Sequence, residues 1–233
     1  MGIIDNEVVF NGISTKDFHI YCSGRGSFSS PSRQYDAVDI AGKNGTTYRD
    51  KKSYNNVGLE YKCLIYGDIS DYERFKAFLM SQSGYKRLED SFHPDEYRMA
   101  IYRDAISPNI KGEEEGASFK LVFECLPQRY LKSGEKPIQI TTQGALVNNT
   151  YYEAKPLIRV YDSGSITINS KTLTYTNIDG YMDIDCEKMD CYKGNVNMNR
   201  YTSGDFPTLN VVNGVNTIAC TGTIELIPRW WTL

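Results

Sequence analysis

The chain has 233 residues, 24% of them charged, and a net charge of −3, a length that suits one large or two ordinary domains. So small a net charge is too close to neutral to imply a nucleic-acid binder. No apolar run approaches the length a bilayer-spanning helix needs, so no membrane insertion is expected.

The N-terminus, MGIIDNEVVF, has neither the basic segment nor the long apolar core of a secretion signal. Asn6 stands where a myristoylation pattern needs Ser or Thr. Synthesis and folding in a cytoplasm are the expectation. Val8–Phe10, Asn11-Gly12 and Ile13 then predict a hairpin with an Asn-Gly turn. Residues 33–39 predict a strand, and residues 39–50, DIAGKNGTTYRD, an ordered loop whose Gly42, Asn44 and Gly45 permit positive φ.

Residues 57–66 alternate Val57, Leu59, Tyr61, Cys63 and Ile65 onto one face, which predicts a half-buried strand. A helix is predicted next. Ser70 and Glu73 have capping-box spacing, Tyr72, Phe75, Phe78 and Leu79 form a stripe at helical period, and Gly84 suits the stop. Arg98–Ala105 and Ala117–Cys125 read as strands about a polar loop, residues 107–116. The acidic run Glu113–Glu115 in that loop reads as solvated; lining a pore for DNA, it would repel phosphate. Residues 131–137, LKSGEKP, have the composition of a linker.

Beyond the linker the helical period disappears. Ser165–Asn169 and Thr172–Thr176 predict a hairpin, and Tyr181–Cys186, Thr208–Val212, Thr217–Thr221 and Thr223–Ile227 predict further short strands. Strands at this spacing indicate a β-sandwich. The fold expected is mainly β with one short helix, in two domains, 1–131 and 132–233. Each ends in a strand that runs into proline, arginine and aromatics: Leu126-Pro127-Gln128-Arg129-Tyr130 and Pro228-Arg229-Trp230-Trp231. Proline cannot donate to a ladder, so it marks a strand end or free edge.

Chemistry-bearing patterns are sparse. No Gly-x-Ser-x-Gly elbow, P-loop or His-Glu-x-x-His is present, so no catalytic residue, cofactor or metal is expected. His93-Pro94-Asp95-Glu96 has the elements of an acid–base set, but reads as a proline turn. Asp183, Asp185 and Glu187 alternate, as paired glycosidase carboxylates or calcium ligands could, yet also as the solvated face of a strand with Met182, Ile184 and Cys186 inside. Cys22, Cys63, Cys125, Cys186, Cys191 and Cys220 are expected as reduced thiols. Cys186 and Cys191 lack the two further ligands zinc needs. The only tryptophans, Trp230 and Trp231, suit packing, a protein contact or a sugar.

In combination these parts resemble the distal tail (Dit) proteins of long-tailed phages. The resemblance rests on the order of the opening hairpin, Gly42-Lys43-Asn44-Gly45 and the strand-and-helix segment Val57–Ser83. It continues through Leu-Pro-Gln-Arg-Tyr-Leu at 126–131, Tyr-Met-Asp-Ile-Asp-Cys at 181–186, Asp-Phe-Pro at 205–207 and Gly-Val-Asn-Thr-Ile at 214–218. It covers nearly the whole chain. It implies a structural virion protein, not an enzyme, that forms a hexameric ring at the tail tip after synthesis in the host cytoplasm. The first domain (a β-sandwich with a helix and a β-hairpin) would form the ring. The second would be a peripheral galectin-like or carbohydrate-module-like sandwich. Implied partners are other copies of the chain, the tail tube protein, a tail-associated lysin or tip protein and a receptor-binding protein. Tape-measure protein and DNA would pass through the channel without specific binding. A ring needs two different self-contacting surfaces. Those expected are the opening hairpin, with Phe10, Ile13 and Phe18, and the helix, with Tyr72 and Phe75. The alternative is a carbohydrate-binding protein contacting surface sugars through Trp230, Trp231, Asp183 and Asp185. A glycoside hydrolase would need two carboxylates facing each other across a cleft.

Overall fold

The structure, a computed structural model, describes residues 6–24, 29–65, 69–112 and 116–233. These form two compact units, one running to Arg129 and including Leu233, the other Tyr130–Thr232. The fold is mainly β, with one α-helix among the described residues. Each unit curls its sheet about its own apolar core.

The first unit begins with the expected hairpin. Val8–Phe10 pairs with Ile13–Ser14, and Asn11 and Gly12 take φ of 50° and 81°. Two consecutive positive φ values give the primed turn that matches strand twist. The main sheet then runs, in spatial order, Ile13–Ser14, Val8–Phe10, Lys86–Asp90, Glu96–Ile101, Gly116–Cys125, Val57–Ile65 and Ile20–Gly24. Val57–Ile65 and Gly116–Cys125 pair in antiparallel register from Cys125↔Val57 to Ala117↔Ile65. The alternation of residues 57–65 is realised in full, every second side chain being buried. Tyr66 lies outside the described residues.

The helix is Ile69–Ser81. Its Tyr72, Phe75 and Leu79 meet an aromatic cluster, with ring centroids 5.3 Å apart for Phe18–Phe75, 5.4 Å for Tyr72–Phe119 and 4.8 Å for Phe10–Phe123. Burial of such side chains contributes about 1.5–3 kcal/mol each. Ser70 stands inside the first turn, not before it, so it is not the cap expected; the cap position falls outside the described residues. Gly84 takes the left-handed conformation, φ 68°, just past the helix end.

Several boundaries differ from expectation. The strand expected at Arg98–Ala105 is Glu96–Ile101, and Lys86–Asp90 is a strand that the helix-then-turn reading passed over. Asn109–Gly112 is a strand within the presumed 107–116 loop; Glu113–Glu115 lies outside the described residues. Thr47–Tyr54 is a strand, so the 39–50 loop ends earlier, at residue 46.

The second unit is organised by Gly214–Ile227, one long strand where two short ones were expected. It pairs with Ile138–Asn148 along one side. On the other it pairs with Gly164–Ile168 and then Leu157–Val160. The expected hairpin is present as Gly164–Ile168 with Lys171–Tyr175, turning at Asn169-Ser170 with Asn169 at φ 55°. Thr208–Val212 is not a strand; it contributes only the isolated bridge Ala154↔Leu209. Residues 131–137 are not a solvated linker either. Lys132–Glu135 form a 3-10 turn, the Leu131 amide donates to the Trp230 carbonyl, and the Arg229 amide donates to the Gly134 carbonyl. Gly134 is required there, since a Cβ would lie 2.3 Å from the Trp230 nitrogen.

Candidate assembly surface

Four of the five expected self-contact residues are used inside the first unit. Phe10, Phe18, Tyr72 and Phe75 all belong to its core. The expectation that they present an apolar surface is corrected for these four. A stripe at helical period marks a face that must be covered, and here the unit's own sheet covers it. Ile13 alone remains exposed, at the hairpin turn.

The exposed apolar side chains of the first unit concentrate elsewhere. Arg33–Val38 and Thr47–Tyr54 form a two-stranded ribbon, a sheet separate from the main one. Among the described residues neither strand pairs with any other. Tyr35, Val38 and Ile40 are about half exposed, and Tyr48 is 66% exposed. The ribbon is held by contacts within itself. The Arg33 guanidinium donates to both oxygens of Asp50, at 3.1 and 2.5 Å, and Lys51 pairs with Asp36 at 2.6 Å. Tyr35 and Tyr48 meet edge to face at 6.1 Å. Asn55 closes the base, its amide donating to the Ser32 carbonyl. The Arg33 hydrogen bond holds the Asp50 carboxyl below its ordinary pKa. Every ion pair named lies in water, where such pairs stabilise little. An isolated two-stranded ribbon is marginal, and unpaired strand edges with exposed aromatics are what a neighbouring chain covers.

The candidate sugar contacts are differently placed. Met182–Asp185 is buried on both faces, so Asp183 and Asp185 do not form the solvated face expected; Glu187, past the strand, is exposed as expected. Asp183 receives Arg159 on both oxygens, at 2.7 and 2.9 Å, with the guanidinium 4.5 Å from the Tyr181 ring centroid. Asp185, fully buried, receives Arg229 at 2.7 and 3.1 Å, and its Oδ1 also accepts the Glu187 and Lys188 amides. Burial pulls the Asp185 carboxyl up, but the Arg229 hydrogen bond and charge, with the two amides, outweigh it and hold the group below its ordinary range. Trp230 packs against the second unit's core. Trp231 stacks on Tyr152 at 4.4 Å and its Nε1–H donates to the Glu153 carbonyl at 2.9 Å. The turn at His93 is as expected: Asp90 Oδ1 accepts the Phe92 and His93 amides at 2.9 and 2.8 Å. Glu96 is held by the Arg129 guanidinium at 2.7 and 2.5 Å.

The ribbon's first strand is the one expected at residues 33–39; its second was missed because Thr47–Tyr54 reads TYRDKKSY. A strand with solvent on both faces shows no apolar alternation. Its one signal is the pair of tyrosines, Tyr48 and Tyr54, flanking a lysine-rich middle.

No protein-family model matches the chain, and no curated protein sequence matches it. Solved structures do. The chain is similar to the SPP1 Dit protein, described as a paradigm of the hub adsorption apparatus of phages infecting Gram-positive hosts. The TM-score is 0.74 at 15% identity, over 95% of this chain and 97% of that one. It is also similar to a chain of the phage p2 baseplate in its activated conformation with strontium, TM-score 0.51 at 10% identity over 97% and 98%. The same baseplate activated with calcium gives 0.51 at 9%, over 95% and 97%. The chain has a Dit-like fold.

Proposed function

We propose that this chain is a distal tail subunit: a structural virion protein that builds a hexameric ring joining the tail tube to the tail tip and serves there as a docking hub. The observation that carries this is likeness over nearly the full length of both chains to a hub protein of a phage adsorption apparatus. In this reading the first unit closes the ring, and the ribbon Arg33–Tyr54 is the surface a second copy covers. The partners are other copies, the tail tube protein, a tail-associated lysin or tip protein and a receptor-binding protein. Tape-measure protein and DNA traverse the channel. The protein acts by assembly rather than catalysis. It is at work in the tail tip, and no helix among the described residues is long and apolar enough to cross a membrane.

Electron microscopy of the purified chain, alone and with its tail tube protein, tests this. Six-fold rings are expected. The double variant Val38→Glu, Tyr48→Asp should keep the parent's circular dichroism and lose the rings, because both side chains are exposed in the single chain. Rings formed as readily as by the parent would remove the ribbon from the contact. Failure to assemble under either condition would remove the ring.

A further inference from the structure

Cys22 and Cys63 stand directly opposite each other on the antiparallel strands Ile20–Gly24 and Val57–Ile65. Their Sγ atoms are 3.7 Å apart, one thiol donating to the other. Both side chains are buried. Opposed residues on antiparallel strands have Cα atoms about 4.5–5.5 Å apart, inside the span of about 4.4–6.8 Å that a disulfide bridges. Two sulfurs already in contact on such a pair need side-chain rotation, not backbone movement, to bond. Cys186 and Cys191 are closer in sequence but not so placed, since Cys191 lies opposite Ile184.

We propose that Cys22 and Cys63 are an oxidation site, at which a low-molecular-weight disulfide converts the two thiols into a cross-strand disulfide. Written with oxidised glutathione, one cysteine thiolate attacks a glutathione sulfur and expels one glutathione thiolate. The second cysteine thiolate then attacks the mixed disulfide and expels the other. The two protons lost by the cysteines are taken up by the leaving thiolates. The two cysteines are oxidised by two electrons, and one oxidised glutathione becomes two reduced ones.

Position gives the bond a consequence. Ile20–Gly24 ends the sheet order, and the chain leads from it to the ribbon that begins at Arg33. A bond there ties the terminal strand at the root of the ribbon to Val57–Ile65, the interior strand beside it. It closes the 41-residue separation between the two positions, a constraint on the unfolded chain that favours the folded one. Access is from the end of the sheet order, where the outer side of Cys22 meets the isolated bridge to Asn6 rather than a further strand, and an end opens at less cost than the sheet's middle. The Cys22 hydrogen bond, and burial after it, push the Cys63 thiol well up. Thiolate is therefore scarce, and the reaction is slow at neutral pH and faster in base. Its biological timing rests on the proposed function: a virion protein leaves a reducing cytoplasm for oxidising surroundings. The bond itself does not depend on that reading.

The test uses the full-length native chain, incubated with oxidised glutathione, then unfolded, alkylated and mapped by mass spectrometry. Four alkylated cysteines of the six in the sequence are expected, with a linked Cys22–Cys63 peptide. The thermal midpoint should rise by about 10 °C, reversibly with a thiol reductant. Cys22→Ala should show the same alkylation count before and after oxidant and no rise. Six alkylated cysteines after prolonged exposure of the folded chain to oxidant in base would overturn the proposal. So would a bond joining any other pair. A chain that forms the bond but never forms rings would keep the site and remove the ring.

Discussion

Two arginine–carboxylate pairs in this protein have nearly the same geometry and opposite circumstances. Arg33 grips Asp50 on the ribbon, and Arg229 grips Asp185 in the second unit. Asp185 is fully buried, two backbone amides donate to it, and the Lys188 ammonium stands 3.7 Å from its Oδ2. Asp50 is partly exposed to water, and among the described residues its two strands form a sheet of their own, outside both apolar cores. The buried pair must be complete, because removing one partner leaves a desolvated charge. The exposed pair is screened and dispensable. One region is finished within the chain; the other carries tyrosines and strand edges that nothing among the described residues covers.

This contrast can be broken by substitution. The largest effect is expected from Phe75→Ala, about 3–5 kcal/mol lost in denaturant unfolding of the isolated chain, because Phe75 is core rather than contact. A loss of assembly with unchanged stability would return the helix to the interface. Arg229→Met should cost about 3 kcal/mol near neutral pH by stranding the Asp185 carboxylate. The folded-state pKa of Asp185 is depressed. The stability it contributes is therefore present above its unfolded value of about 4 and is lost as pH falls through the folded value. The penalty of Arg229→Met should shrink in acid, since a protonated Asp185 needs no cation. A penalty independent of pH, followed by calorimetry, would mean that Arg229 acts by packing alone. Arg33→Ala should leave the melting midpoint of the isolated chain unchanged. A clear drop would show the ribbon to be a folded part of the unit. The finest measurement is amide exchange: ribbon amides should exchange faster than those of Val57–Ile65 in the single chain and slow down on assembly. Equal protection in the single chain would erase the distinction.

How far the sequence could be read depended on where a strand's second face lies. Val57–Ile65 and Ile166–Leu173 were readable because one face of each meets a core and alternation survives. Ile138–Asn148 was not, although it is eleven residues long. Thr142 takes φ 63° and the register shifts across it, yet Ile138, Ile140, Gly144, Leu146 and Asn148 all keep the inward phase. Gly144 and Asn148 bring no apolar side chain to the inward face, and Ala145 and Val147 point outward, so the apolar–polar contrast that identifies a strand is missing. Asp183 and Asp185 misled for a related reason: alternating carboxylates signal a wet face unless arginines distant in sequence are brought onto them. Arg159 and Arg229 lie 24 and 44 residues away.

By itself the sequence determined the class of the fold, the helix, two hairpins and the order of parts that resembles a distal tail protein. All of these follow from turn chemistry and short-range periodicity, which act over a few residues. Tertiary structure decided which apolar faces are core and which stay open, which carboxylates are paired, and that among the described residues the ribbon stands as a sheet of its own. Burial and charge pairing depend on residues distant in the chain, and no local pattern carries that information.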